Sequence, residues 1–155
     1  MPYTQEMVHE IVEKQRRFFR TGVTLDVHWR MEQLRKLKQA VIDHRAELEE
    51  ALWEDLNKSP TEAYLCDLGP VIVEVNEILR GLRRWARPER HFSGFMCFPS
   101  LVTRVYKMPY GVSLIISPFN FPILLTLGVL AASISGGNTA EQRLFCASAA
   151  PGRMF

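Results

Sequence analysis

Cysteine is scarce: Cys66, Cys97 and Cys146 stand far apart in 155 residues and form no C-x-x-C pair. That excludes a disulfide-stapled scaffold and a zinc ribbon, and three unpaired thiols predict a reducing, cytoplasmic setting. An excess of charge of one sign is also missing. The 19 basic and 17 acidic residues leave a formal balance of +2, too little to draw the chain to nucleic acid or an anionic membrane. His9, His28, His44 and His91 share no metal-ligand spacing with one another or with the cysteines, so no metal site is expected. Residues 1–19 mix acidic and basic side chains among apolar ones, whereas an export signal would run from a basic start into a purely apolar stretch.

Charge itself disappears after Lys107. Nothing from Met108 to Ala140 carries a formal charge, and only Glu141, Arg143 and Arg153 are charged beyond. A membrane anchor is one reading of that stretch. It fails on length, because Pro118, Asn120 and Pro122 interrupt it and leave Phe121 to Ile134 clean, short of the roughly 20 apolar residues a span needs. With 47% hydrophobic and 23% charged residues the whole chain has the proportions of a soluble globular protein.

The charged part has helical periodicity. Met7, Val8, Ile11, Val12, Phe18 and Phe19 recur three or four apart, and Thr21-Gly22 ends the run. Val27, Met31, Leu34, Leu37, Val41 and Ile42 form a second stripe, with Thr24 expected as N-cap and Asp26 in the first turn. Leu48, Leu52 and Leu56 form a third. Ser59-Pro60-Thr61-Glu62 is a start signal, since serine caps, glutamate reaches back and proline suits the first helical position. The long helix it opens carries Tyr64, Leu68, Val71, Ile72, Val75, Ile78, Leu79, Leu82 and Trp85, with a bend expected at Gly69-Pro70 and the exit at Pro88. Arg80, Arg83, Arg84, Arg87 and Arg90 around Trp85 are expected to be a solvated helix end and not a nucleic-acid patch.

From Phe98 to Ser117 β-branched and aromatic residues take over, which predicts strands. Val112 to Ile116 lacks polar alternation, so it is expected to be buried on both faces of a helix-covered parallel sheet. Ile123 to Ile134 is a helix ended by Gly136-Gly137-Asn138. Strand, loop and helix make half of a βαβ unit in an α/β architecture.

Residues 109–140, PYGVSLIISPFNFPILLTLGVLAASISGGNTA, resemble the segment that opens the cofactor domain of aldehyde dehydrogenases. Upstream, RFFRTG, the R-x-x-x-L-x-x-L pattern from Arg30 to Leu37, DLNKSPTEAY and LRRWARPER resemble the helical amino-terminal region of the class 3 branch. The resemblance implies a truncated aldehyde dehydrogenase fold: a helical region at 1–97, strands and the start of a Rossmann-like cofactor domain at 98–140, and a tail outside the family pattern at 141–155. It implies that Asn120 stabilises the oxyanion formed when a thiolate attacks an aldehyde, and that Ile116, Ser117 and Pro118 lie along the nicotinamide-cofactor groove. Phe119 stands where the family usually has tryptophan.

From Glu141 onward the chain departs from the family wording, and no lysine follows Lys107 to bind a cofactor ribose. The family's glycine-rich turn, glutamate base and nucleophilic cysteine would lie further on. Cys146 has no histidine after it and is expected to be an inert thiol. The expectation is a fragment of an NAD- or NADP-dependent aldehyde dehydrogenase that is inactive alone and binds neither cofactor productively. An alternative is a non-catalytic helical module that associates with itself or with a full-length homologue. Unpartnered apolar faces at Val112 to Ile116 and Ile123 to Ile134 would make it prone to association.

Overall fold

Thr4 opens the first helix, α1 (Gln5–Arg20), by accepting the Met7 amide at 3.3 Å, and Gly22, at φ 76°, turns the chain out of it. The structure, a computed structural model, describes residues 4–94, 98–99 and 102–144. The expected cap of the next helix is corrected. A 3-10 turn, Val23–Leu25, intervenes, and α2 (Val27–Asp43) starts at Asp26, whose carboxylate accepts the His28 amide at 2.9 Å. Thr24 is instead fully buried inside that turn. The extra turn after Gly22 moves the first helical amide beyond its reach.

α3 (Arg45–Leu56) ends on Asn57 in the left-handed conformation. Ser59 caps α4 (Pro60–Ala63) through the Glu62 amide at 3.3 Å, as its sequence signal predicts. The bend expected at Gly69-Pro70 takes the form of a π-helical segment, Tyr64–Leu68, ahead of α5 (Gly69–Trp85). Pro70 has no N–H to continue the α-helical ladder, and the Gly69 amide reaches back to the Tyr64 carbonyl. A Cβ at Gly69 would lie 2.8 Å from that carbonyl oxygen.

Met31, Leu34 and Val41 of α2, Leu52 of α3, and Leu68, Val71, Val75, Ile78 and Leu82 bury against one another. Ile123 and Ala131 join the same core from the uncharged region. α1 has no buried residue, and its Met7, Val8 and Phe18 are exposed. Beyond Pro88 come two short exposed strands, β1 (Glu89–Phe92) and β2 (Val102–Val105), paired antiparallel. β1 goes beyond the sequence reading, because ERHF has no apolar alternation to betray it.

β3 (Val112–Ser117) leads through a loop into a helix that begins at Pro122, passes through a second π-helical segment, Leu124–Gly128, and continues as α6 (Val129–Gly136). Gly137, at φ 85°, turns the chain into β4 (Thr139–Leu144), which pairs parallel with β3 from Val112–Thr139 to Ser117–Leu144. The βαβ unit is therefore complete, where the sequence predicts only its first half. The burial expected for β3 is also corrected. Ile115 and Ser117 face the helix and are buried, while Leu114 and Ile116 on the other face are exposed. A helical layer covers one side of this two-stranded sheet, and α1 lies beside both β3 and β4, with Phe19 against Gly111.

Two polar junctions fix this unit. Asn138 accepts the Gly111 amide on its side-chain oxygen at 3.0 Å while Thr139 donates its amide to Gly111 at 2.8 Å, which aligns the starts of β3 and β4. The Arg30 guanidinium, nearly buried, donates to the carbonyls of Thr24 (2.6 Å), Leu25 (2.9 Å) and Ser135 (3.2 Å). It thereby satisfies a C-terminal carbonyl of α6 from a helix 105 positions earlier. Burial pushes its pKa below the ordinary arginine value.

Candidate functional site

Proline at 118 and 122 restricts the backbone on either side of Phe119-Asn120-Phe121, and the three residues bend away from the carboxyl end of β3. In parallel α/β sheets this is the edge at which ligands bind. Asn120 is exposed, and its side-chain amide has no hydrogen-bond partner among the described residues. A neutral amide N–H that neither titrates nor is occupied can donate to a charge that develops in front of it.

The three residues expected along a cofactor groove are placed differently from one another. Ile116 and Pro118 are exposed beside the loop, Ile116 on the uncovered face of β3. Ser117 is 1% exposed, and its hydroxyl donates inward to the Leu125 carbonyl at 3.1 Å. Its side chain therefore fastens strand to helix, and only its neighbours offer surface. Phe119 is half exposed at the loop tip.

Behind the loop lies a buried ion pair that the sequence reading passes over. Lys58 and Asp67 are 7% and 0% exposed, with Nζ 2.7 Å from Oδ2. Lys58 Nζ also donates to the backbone carbonyl of Asn120 at 2.8 Å and lies 4.3 Å from the centre of the Phe121 ring. The other Asp67 oxygen accepts the Leu124 amide, a long contact at 3.4 Å. Phe121, at the N-cap position of that helix, has no side-chain acceptor for its own first turn. Asp67 supplies one from a different helix. A signal for this was present: Asp67 lies four residues after Ala63 and four before Val71, on the buried stripe, where an unpaired acid is costly.

Among the described residues no group of acidic, histidine and cysteine side chains could hold a metal ion, and no helix is long and apolar enough to cross a membrane. Cys66 is a free thiol, whereas Cys97, Cys146 and the tail from Phe145 lie outside the described residues. Two exposed clefts beside α1 are not lined by Asn120: one runs along the helix from Gln5 to Arg17 and one lies at the start of β3 by Tyr110 and Gly111.

A profile of the aldehyde dehydrogenase family matches residues 2–141. The chain is 36% identical over 123 residues to 4,4'-diaponeurosporen-aldehyde dehydrogenase of Staphylococcus aureus, covering 79% of this chain and 27% of that protein. It is 33% identical over 139 residues to aldehyde dehydrogenase family 3 member F1 of Arabidopsis thaliana, covering 90% and 28%. The chain thus spans little more than a quarter of the length of these relatives. A substrate-bound Staphylococcus aureus AldH structure superposes with a TM-score of 0.84 at 32% identity, over 92% of this chain and 30% of that one. The NAD+ complex of betaine aldehyde dehydrogenase from the same species shares the fold, with a TM-score of 0.80 at 21% identity over 91% and 27%.

Proposed function

The chain belongs to the aldehyde dehydrogenase family, and we propose that it provides the oxyanion-stabilising part of that family's NAD- or NADP-dependent aldehyde oxidation through Asn120. The reading rests on one observation: an exposed, unoccupied amide at the carboxyl end of a parallel strand, on a backbone anchored from behind. When a thiolate attacks an aldehyde carbonyl, negative charge gathers on the oxygen, and a preorganised N–H lowers that barrier by roughly 3 kcal/mol. Phe119 gives the site an apolar wall.

The bound nicotinamide would take up the hydride. Ile116 and Pro118 suit a flat, apolar contact with such a cofactor. The loop from Ser117 to Pro122 contains no glycine, and Pro122 withholds an amide from the helix start, so the turn does not cradle a diphosphate. These 155 residues thus offer one edge of a cofactor site. Among the described residues none stands beside Asn120 as a nucleophilic cysteine with a general base, and we read the chain alone as an inactive fragment of the aldehyde dehydrogenase fold.

Two assays test this. The purified chain should produce no aldehyde-dependent reduction of NAD or NADP, and a measured turnover would refute its inactivity. In a chimaera where residues 5–140 replace the matching part of an intact relative, Asn120→Ala should lower kcat by about a hundredfold or more. Equal turnover in the two chimaeras would remove Asn120 from the chemistry.

A further inference from the structure

We propose that Lys58 and Asp67 form a positioning clamp for the Asn120 loop, through which the amino-terminal helical region sets the direction in which the amide donor points. The inference rests on the assignment of Asn120 given above and adds the residues that aim it. Its basis is that the buried pair holds the loop at both ends. Lys58 takes the carbonyl of Asn120 and Asp67 takes the amide of Leu124, so Phe121, Pro122 and Ile123 are bracketed between two polar contacts. The ammonium group has no spare capacity: one N–H goes to Asp67, one to Asn120, and its remaining side lies against the Phe121 ring.

A purely structural ion pair needs no such arrangement. Buried pairs are replaced by apolar residues at little or no loss of stability in many proteins, while removal of one partner alone is strongly destabilising. This pair instead directs its remaining hydrogen bonds to the backbone that carries an exposed side chain. Asp67 lies in the π-helical segment before α5, and Leu124 begins the π-helical segment before α6. Single-turn π segments widen a helix and redirect side chains, often at functional sites. Here the first turns an acid from the stripe of α5 toward the start of the second. Lys58, set just before the Ser59 cap, comes from the other flank.

The first test uses the unaltered 155-residue chain. With ¹⁵N-labelled lysine and ¹³C-labelled asparagine, the Lys58 ammonium should give a long-lived signal with a through-hydrogen-bond coupling to the Asn120 carbonyl carbon. A rapidly exchanging ammonium without that coupling would overturn the clamp. The second test is Lys58→Met/Asp67→Leu, which removes both charges together with their hydrogen bonds. Exchange of the Leu124 and Leu125 amides, which are bonded to Asp67 and to the Phe121 carbonyl, should rise at least about tenfold while α2 amides such as Leu34 keep their wild-type rates. Lys58→Arg, which retains a donor, should recover part of the protection. Wild-type exchange in the loop of the double variant, or an equal rise throughout the core, would show that the pair does not position the loop. The two proposals fail separately: Asn120→Ala without effect on turnover would remove the oxyanion role and leave these exchange results unchanged.

Discussion

In α2 and α5 the apolar residues at helical spacing close over one another, with Leu34, Val71 and Val75 fully buried, whereas β3 buries Ile115 and leaves Leu114 and Ile116 at 62% and 63% exposure. The charged region thus supplies most of a closed core, which Ile123 and Ala131 join from the uncharged region, and the uncharged region covers one side of a sheet. The Asn120 loop is anchored backwards, into Lys58 and Asp67, while among the described residues its own sheet offers β3 a single neighbour. The difference separates stability from apolar composition. The more polar part of the sequence contributes most of the closed core, while the uncharged strand carries the open surface.

Paired truncations would break this contrast most sharply. Leu34→Ala should cost about 2–5 kcal/mol in denaturant unfolding, and Leu114→Ala should stay within about 0.5 kcal/mol. Equal losses would mean that Leu114 is covered. Gly137→Ala comes next. Its backbone lies at φ 85°, and a Cβ would come within 2.7 Å of Arg30 Nη2, so a loss of about 1–3 kcal/mol is expected in the same measurement. Leu114→Lys/Ile116→Lys should change stability by less than about 1 kcal/mol and reduce self-association in sedimentation; association at the wild-type level would exonerate the open face.

The smallest effect concerns acid. Hydrogen bonds from Arg16, Lys36 and Lys107, reinforced by their charge, hold the carboxyls of Glu13, Glu32 and Glu89 below the ordinary value. A carboxylate whose pKa falls on folding adds stability above its unfolded pKa of about 4.5, and that stability is lost as pH falls through the depressed folded value. These pairs are exposed, so each contributes little. Wild type and a variant with all three changed to Gln should differ slightly in melting temperature near neutrality and converge once the pH has fallen through the depressed folded values. A gap that widens in acid would reverse the assignment.

The helices were legible because periodicity and caps are local: Ser59 caps where S-P-T-E says it should, and the stripe from Leu68 to Leu82 is buried as its spacing requires. The loop that carries Asn120, between β3 and the next helix, was legible through its prolines, and the bend at Gly69-Pro70 through the chemistry of proline. What escaped depends on distant partners. Thr139–Leu144, with Ala, Glu and Gln, has little strand preference and becomes β4 by pairing with β3. The two faces of β3 look alike as a string, and only the covering layer distinguishes them. Lys58 meets Asn120 across 62 positions, a separation at which no local pattern operates.

The seam that Arg30 makes between the start of α2 and the end of α6 has its own chemical character. All three of its acceptors are peptide carbonyls, which do not take up protons across the range in which carboxylates are neutralised, and guanidinium keeps its charge throughout that range. This fastening therefore has no acid-labile half, so as the medium sours, Thr24, Leu25 and Ser135 should stay tied together after the surface carboxylate pairs have let go.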